Sequence, residues 1–314
     1  MSVAGAPAPP LRVRGLVKRY GALTAVDSID VTVEGGDVYG FLGPNGAGKT
    51  TTLRMMLGLI RPDSGRVELF GRDPLREGAR ALAGVAGFVE APQFYPYLNA
   101  RRNLELLAAY DGGDARERID SALEAVELTA RAGDRVGGYS HGMRQRLGIA
   151  AALLRHPRLL LLDEPATGLD PAGMRDMRDL IRGLAREGIT VVLSSHLLVE
   201  VEDLCNRVAI VRRGRVIYEG SLDGLRDGDG AAEYLLRSSD VDAAASVCSR
   251  SPGIAGIERA GSALTIHAVE RDIGALSLAL AAEGIAITEL VCRRVTLEDV
   301  FLRMTEGSDG EAAI

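Results

Sequence analysis

The chain has 314 residues, 46% of them hydrophobic and 25% charged, which allows two globular domains with a sizeable core. Its formal net charge of −6 argues against nucleic acid as the main partner, since such a binder needs a concentrated basic face. No run reaches the ~18 consecutive apolar residues of a membrane span. The Ala/Pro-rich start Met1–Pro10 has no signal-peptide core, so a disordered tail over 1–10 and a cytoplasmic location are expected. The three cysteines, Cys205, Cys248 and Cys292, lack metal-ligand spacing and are expected to be buried small hydrophobes.

From Leu11 to about Gly220, short β-branched or apolar runs alternate with helical patterns, the signature of an α/β domain around a largely parallel sheet. The predicted strands are Leu11–Val17, Ile29–Val33, Val38–Phe41, Val67–Phe70, Val85–Val89, Leu159–Asp163, Thr190–Ser194, Val208–Arg212 and Arg215–Glu219. The first few are expected to be antiparallel, because the links between them are too short for a helical crossover. Between Tyr95 and His156 helical periodicity takes over, at Asn103–Tyr110, Ala115–Val126 and Arg144–Leu154, which reads as a helical insertion over about 95–156. A turn to Gly and Asp near Leu222–Asp229 separates a first domain over 11–222 from a second over 230–306, with a tail at 307–314. Strand Glu233–Ser238, helix Val241–Ser249, strands Ile254–Arg259 and Ala263–Ala268, helix Asp272–Ala282 and strand Ile285–Arg293 follow one another. That βαββαβ order predicts a small α+β ferredoxin-like domain, closed by a helix at Thr296–Thr305; a packed appendage and a regulatory or dimer-forming unit are both open as its role.

The strongest chemical signal is Gly43-Pro44-Asn45-Gly46-Ala47-Gly48-Lys49-Thr50, between the apolar run Val38–Leu42 and the helical Thr51–Ile60. A strand that ends in a glycine-rich loop and reopens as a helix points several N–H groups into one concavity at the positive end of the helix dipole, which suits a polyphosphate. Gly43, Gly46 and Gly48 supply the unusual backbone angles, Lys49 reaches the β and γ phosphates, and the Thr50 hydroxyl can hold Mg²⁺. The chain has only two lysines, Lys18 and Lys49, so an ammonium stands here where this Arg-rich sequence usually places a guanidinium. A second signal is Leu159-Leu160-Leu161-Leu162-Asp163-Glu164-Pro165. Four apolar residues fit a buried central strand, and the acids at its end project into the crevice where α/β sheets bind ligands. Asp163 would hold the Mg²⁺ shell and Glu164 would polarise an attacking water.

Together with Thr167-Gly168-Leu169-Asp170 and Ser194-Ser195-His196, these motifs resemble the ATP-binding subunit of ABC transporters, over Leu11–Gly220. Thr296-Leu297-Glu298-Asp299-Val300-Phe301-Leu302 is similar to a segment common in the drug and antibiotic exporters that work with an ABC-2-type permease. The resemblance implies an ABC-type P-loop ATPase with a mostly parallel core, an antiparallel β part and a helical insertion. It implies ATP and Mg²⁺ as cofactors, with Gly43, Asn45, Gly46, Ala47, Gly48, Lys49, Thr50 and Thr51 on the phosphates and Tyr20 on adenine. Glu164 would be the general base, His196 the γ-phosphate sensor and Asp170 the residue of the D-loop.

Tyr139-Ser140-His141-Gly142-Met143 occupies the family's signature position, where Ser140 and Gly142 survive and His141 replaces a glycine. The resemblance places that loop on the γ-phosphate of a nucleotide bound to an opposite subunit, while Ser140 would equally serve as a plain helix cap. At the Q-loop the aligned residue is Glu90 in place of glutamine, a possible Mg²⁺ ligand, with Gln93 offering a competing register. The aromatic run Phe94–Leu98 is either a surface for the permease or filler for the base of the insertion. The implied protein is a peripheral subunit at the inner face of the membrane. It pairs with a like or unlike cassette and powers export of a drug, antibiotic or peptide. The alternative is a soluble ABC ATPase or nucleotide-triggered switch acting without a permease.

Overall fold

The computed structural model describes residues 8–227 and 232–293. The chain forms two compact units, Met1–Gly220 and Ser221–Ile314. In the first unit the elements run β1 (Leu11–Tyr20), β2 (Leu23–Val33), β3 (Val38–Leu42), α1 (Lys49–Met56), β4 (Ser64–Leu69), α2 (Pro74–Glu77) and β5 (Val85–Phe88). They continue with α3 (Ala100–Asp111), α4 (Ile119–Ala125), α5 (His141–Leu153), β6 (Leu159–Asp163), α6 (Pro171–Arg186), β7 (Thr190–Ser195), α7 (Leu198–Leu204), β8 (Arg207–Arg212) and β9 (Arg215–Ser221).

Six strands make the central sheet in the order β5-β6-β7-β3-β8-β9, and β2-β1-β4 form a separate three-stranded sheet. β1 is antiparallel to both of its neighbours. β3 breaks the expectation for the early strands, because it runs parallel between β7 and β8. The short link before it joins two different sheets instead of two neighbouring strands, so it needs no crossover. β3 and β6 are buried along their whole length, which is why they read as unbroken apolar runs. One core runs under both sheets, with Leu11, Ile29, Phe41, Leu53, Met56, Leu159 and Leu161 among its members.

Register sets the position of the functional edge. Leu42 pairs with Ser195, and Asp163 pairs with Ser194, so the C-terminal ends of β3, β6 and β7 lie side by side. Segments 43–50, 164–170 and 196–197 therefore leave the sheet from one edge, at the crevice where α/β folds hold ligands. Helix starts are capped from the sequence. Ser140 Oγ accepts from Met143 N, and Asp170 Oδ1 accepts from Gly173 N with Pro171 opening α6.

Two close approaches fix helices to the sheet. A Cβ on Gly148 of α5 would lie 2.3 Å from Pro92 Cγ and 3.3 Å from Phe88 Cδ1, so the segment after β5 rests directly on α5. Asp37, which opens β3, is 5% exposed and accepts hydrogen bonds from Glu34 N (2.8 Å), Asn206 Nδ2 (2.9 Å) and Arg207 Nη1 (3.0 Å). Removing that carboxylate takes an acceptor from the Arg207 guanidinium and from two other donors. Asp37→Ala is expected to cost about 3 kcal/mol in urea unfolding, and a parental midpoint would remove the network from the fold's supports.

The second unit contains α8 (Leu222–Asp227), β10 (Ala232–Ser238), α9 (Val241–Arg250), β11 (Ile254–Ala260), β12 (Ala263–Ala268), α10 (Glu270–Ala282) and β13 (Ile287–Arg293). Its antiparallel sheet has the order β11-β12-β10-β13, the ferredoxin-like arrangement. Tyr234, Leu236, Leu264 and Ile266 pack on Ala244, Val247, Leu276 and Leu280 of α9 and α10. Cys205 and Cys248 are buried as expected, but Cys292 is exposed because β13 is an edge strand. Helices α2, α6, α7 and α8 add bounds to the helical patterns for which the sequence names none. The closing helix Thr296–Thr305, the exporter-like segment Thr296–Leu302 and the tail 307–314 lie outside the described residues.

Candidate functional site

The loop after β3 turns through Gly46 (φ 79°) and Gly48 (φ 103°) before α1 begins at Lys49. Backbone crowds it from beneath. A Cβ on Gly43 would lie 2.4 Å from Val211 O and one on Gly48 2.4 Å from Ala25 O, while Gly214 N donates to Ala47 O at 2.9 Å. No side chain caps α1. Among the described residues no acceptor is paired with the backbone N–H of Asn45, Gly46, Gly48, Lys49, Thr50 or Thr51. A row of unpaired donors at a helix start is an anion cradle, so the loop fits the phosphates of a nucleotide.

Lys49, 5% exposed, lies beneath this row. Its ammonium donates to Gly43 O at 2.8 Å and Pro44 O at 3.2 Å, and stands 3.3 Å from Glu164 Oε1. Glu164, just past β6, adopts φ 48°, the left-handed region that a side-chain-bearing residue enters at a cost, and this turns it out of the strand line. Its Oε2 accepts from Thr167 Oγ1 at 2.9 Å and lies 3.1 Å from His196 Nδ1. Burial pushes its carboxyl up, but the Thr167 hydroxyl and the charges of Lys49 and His196 outweigh that, leaving it below the ordinary carboxylate range. Glu164 is therefore an ionised base across the neutral range.

Asp163 is buried beside it. Ser194 Oγ donates to Asp163 Oδ1 at 2.5 Å and accepts from Glu164 N at 3.0 Å, so one hydroxyl ties the end of β6 to β7. Thr50 and Asp163 are the residues that could hold a divalent cation, with phosphate oxygens filling its shell. Among the described residues no cluster of three or more His, Cys, Asp or Glu side chains is placed to hold a metal ion. A cation here would depend on those phosphates.

The structure thus brings Gly43–Thr51, Asp163, Glu164 and His196 to one edge. Other residues singled out from the sequence make no direct contact with Lys49, Asp163, Glu164 or His196 among the described residues. Glu90, in the left-handed region at φ 70°, gives its carboxylate to Arg54 of α1. Gln93 bonds locally, donating to Ala91 O at 3.3 Å. Tyr20 is 49% exposed at the end of β1, with Lys18 Nζ 5.5 Å from its ring centre. Ser140, Gly142 and His141 open α5, and His141 Nε2 meets the Thr167 carbonyl of the same chain at 3.0 Å. Asp170 caps α6. The Thr167 and Ser194 hydroxyls carry much of the geometry, yet no role follows for them from sequence: Ser194 meets Asp163 only through strand register, and Thr167 meets Glu164 three residues back only through the turn after β6.

The family model described as "ABC transporter" matches residues 26–167. The chain is 39% identical over 300 residues to "Bacitracin transport ATP-binding protein BcrA" of Bacillus licheniformis, covering 95% of this chain and 97% of that one. It is 36% identical to "Daunorubicin resistance ATP-binding protein DrrA3" of Streptomyces coeruleorubidus, covering 94% and 95%. A solved structure titled "Structure of ATP binding subunit of ABC transporter" superposes with a TM-score of 0.62 at 29% identity, over 69% of this chain and 91% of that one.

Proposed function

Because the chain belongs to the ABC transporter family, as an ATP-binding and ATP-hydrolysing subunit, we propose that it powers efflux of a drug, antibiotic or peptide through a separate ABC-2-type permease. The observation that carries the chemistry is the Lys49–Glu164–His196 cluster beneath a loop of unpaired N–H groups. In this reading the loop from Gly43 to Thr51 binds the phosphates of ATP. Lys49 exchanges carbonyl oxygens for phosphate oxygens, and Glu164 accepts the proton of the attacking water. His196 contacts the γ-phosphate, and Tyr20 offers its exposed ring to adenine. Thr50 and Asp163 would hold Mg²⁺, whose charge would offset the negative charge developing on the phosphates. Glu90, engaged by Arg54, would need to exchange that partner to join them.

Two such subunits close head to tail, identical or paired with a second cassette, so that Ser140 and Gly142 of one reach the γ-phosphate bound by the other. The ATPase chemistry belongs to residues 11–222, and 230–306 form an accessory domain. Relatives named for bacitracin transport and daunorubicin resistance support the exporter reading. The exposed pair Tyr95 and Tyr97, with ring centres 5.8 Å apart, supports a permease contact at that face. No described helix is long and apolar enough to cross a membrane. The subunit would sit at the inner face of the membrane, held by the permease.

The test is to isolate the tagged chain from detergent-solubilised membranes of its host, with and without ATP, and identify its companions by mass spectrometry. A stoichiometric multi-spanning protein is expected. Recovery only from the cytosolic fraction, with ribosomal or DNA-bound partners, would overturn the transport reading and leave the ATPase.

A further inference from the structure

Glu200 of α7 has no part in the chemistry above, yet it is an acid only 4% exposed. Its Oε2 lies 2.6 Å from Ser195 Oγ, and among the described residues its Oε1 has no hydrogen-bond partner. Ser195 Oγ has two further contacts, both within the turn that carries His196. It accepts from Leu197 N at 2.9 Å and faces Leu197 O at 3.2 Å. A serine hydroxyl has one proton to donate. If Glu200 were ionised, its carboxylate and the Leu197 carbonyl would compete for that proton, and one of them would face a bare lone pair.

A proton on Glu200 Oε2 removes the conflict. Glu200 then donates to Ser195, Ser195 donates to Leu197 O, and Leu197 N donates to Ser195, so every contact has its own hydrogen. The solitary Oε1 agrees with this, since a neutral carbonyl oxygen is far cheaper to bury without a partner than half of a carboxylate. We propose that Glu200 is a neutral carboxylic acid and a positioning residue, which locks the Ser195–Leu197 turn and so holds His196 against Glu164. The proposal rests on the reading of His196 as the γ-phosphate contact.

The surroundings favour the neutral form. Burial pushes the Glu200 carboxyl up, and the Ser195 bond, the positive charges of His196 and Arg178, and the negative charge of Glu164 modify that without reversing it. Cys205, which follows α7, is the other titratable neighbour, and burial keeps its thiol protonated. The sign is that of a raised acid: the lock holds below the raised value and loosens as pH climbs through it.

Infrared spectra of the full chain at neutral pH should show the carbonyl band of a protonated carboxyl group, missing from Glu200→Gln. Glu200→Ala should lower kcat about tenfold or more with KM for ATP little changed, as expected for a displaced contact. Glu200→Gln, whose amide donates to Ser195 as the acid does, should keep kcat within about threefold and lose the alkaline decline of the parent. A parental spectrum without that band, or parental kcat in Glu200→Ala, would overturn the proposal. Should the alanine variant fail to fold, the spectrum and the glutamine variant's pH profile still decide. Parental turnover in His196→Ala would overturn the γ-phosphate reading and the positioning role with it, while the band would separately report the protonation of Glu200.

Discussion

Glu164→Gln is expected to bind ATP as tightly as the parent and to hydrolyse it about 10²- to 10⁴-fold more slowly, the range for losing a positioned general base. The amide keeps the size of the side chain and accepts from Thr167 as the carboxylate does, so the left-handed turn at residue 164 and the approach of His196 survive. What disappears is the proton acceptor. The phosphate loop is untouched, and Lys49 retains Gly43 O and Pro44 O. With closure intact and hydrolysis blocked, the variant should elute as an ATP-bound dimer on a sizing column. Turnover at the parental rate would remove Glu164 from the role of base. In the parent, the ion pairs of Glu164 stabilise the fold above the ordinary carboxylate range and are lost as pH falls through its lowered value, so they contribute fully at neutral pH.

Lys49→Ala should lose ATP affinity by about a hundredfold or more, near 3 kcal/mol for a desolvated charge-assisted contact. Lys49 is buried and its ammonium faces two loop carbonyls and Glu164, so an alanine there removes a desolvated positive charge from the phosphate loop. Lys49→Arg should restore little, because a planar fork does not fit beneath a loop whose glycines already touch neighbouring backbone. Nucleotide titration by calorimetry reads the loss directly, and a parental dissociation constant in Lys49→Ala would refute the phosphate-loop assignment.

Local patterns made much of this legible. Leu159–Leu162 and the loop at 43–50 announce themselves because buried parallel strands and phosphate loops have compositions that few other elements share. The direction of β3 was not legible. Its partners are residues 191–195 and 207–210, far along the chain, and a short link says nothing about direction when it leads into another sheet. The same blindness to register hides Ser194, whose hydroxyl matters only because Asp163 lies opposite it. Glu200 lies within the apolar run Leu197-Leu198-Val199-Glu200-Val201, where an acid signals burial without naming its partner. Glu90 shows the reverse case, since a residue chosen by its place in a motif is engaged by Arg54 on the phosphate-loop helix.

The absence of a side chain at Gly148 has a thermodynamic consequence. Pro92 fits so closely against α5 there that a movement of Pro92, just ahead of the two exposed tyrosines, presses on the helix that Ser140 caps. If the aromatic face meets the permease and the start of α5 meets a nucleotide, as proposed, the two ligands would act on one shared equilibrium. Whatever factor the first imposes on the affinity of the second, the second must return to the first.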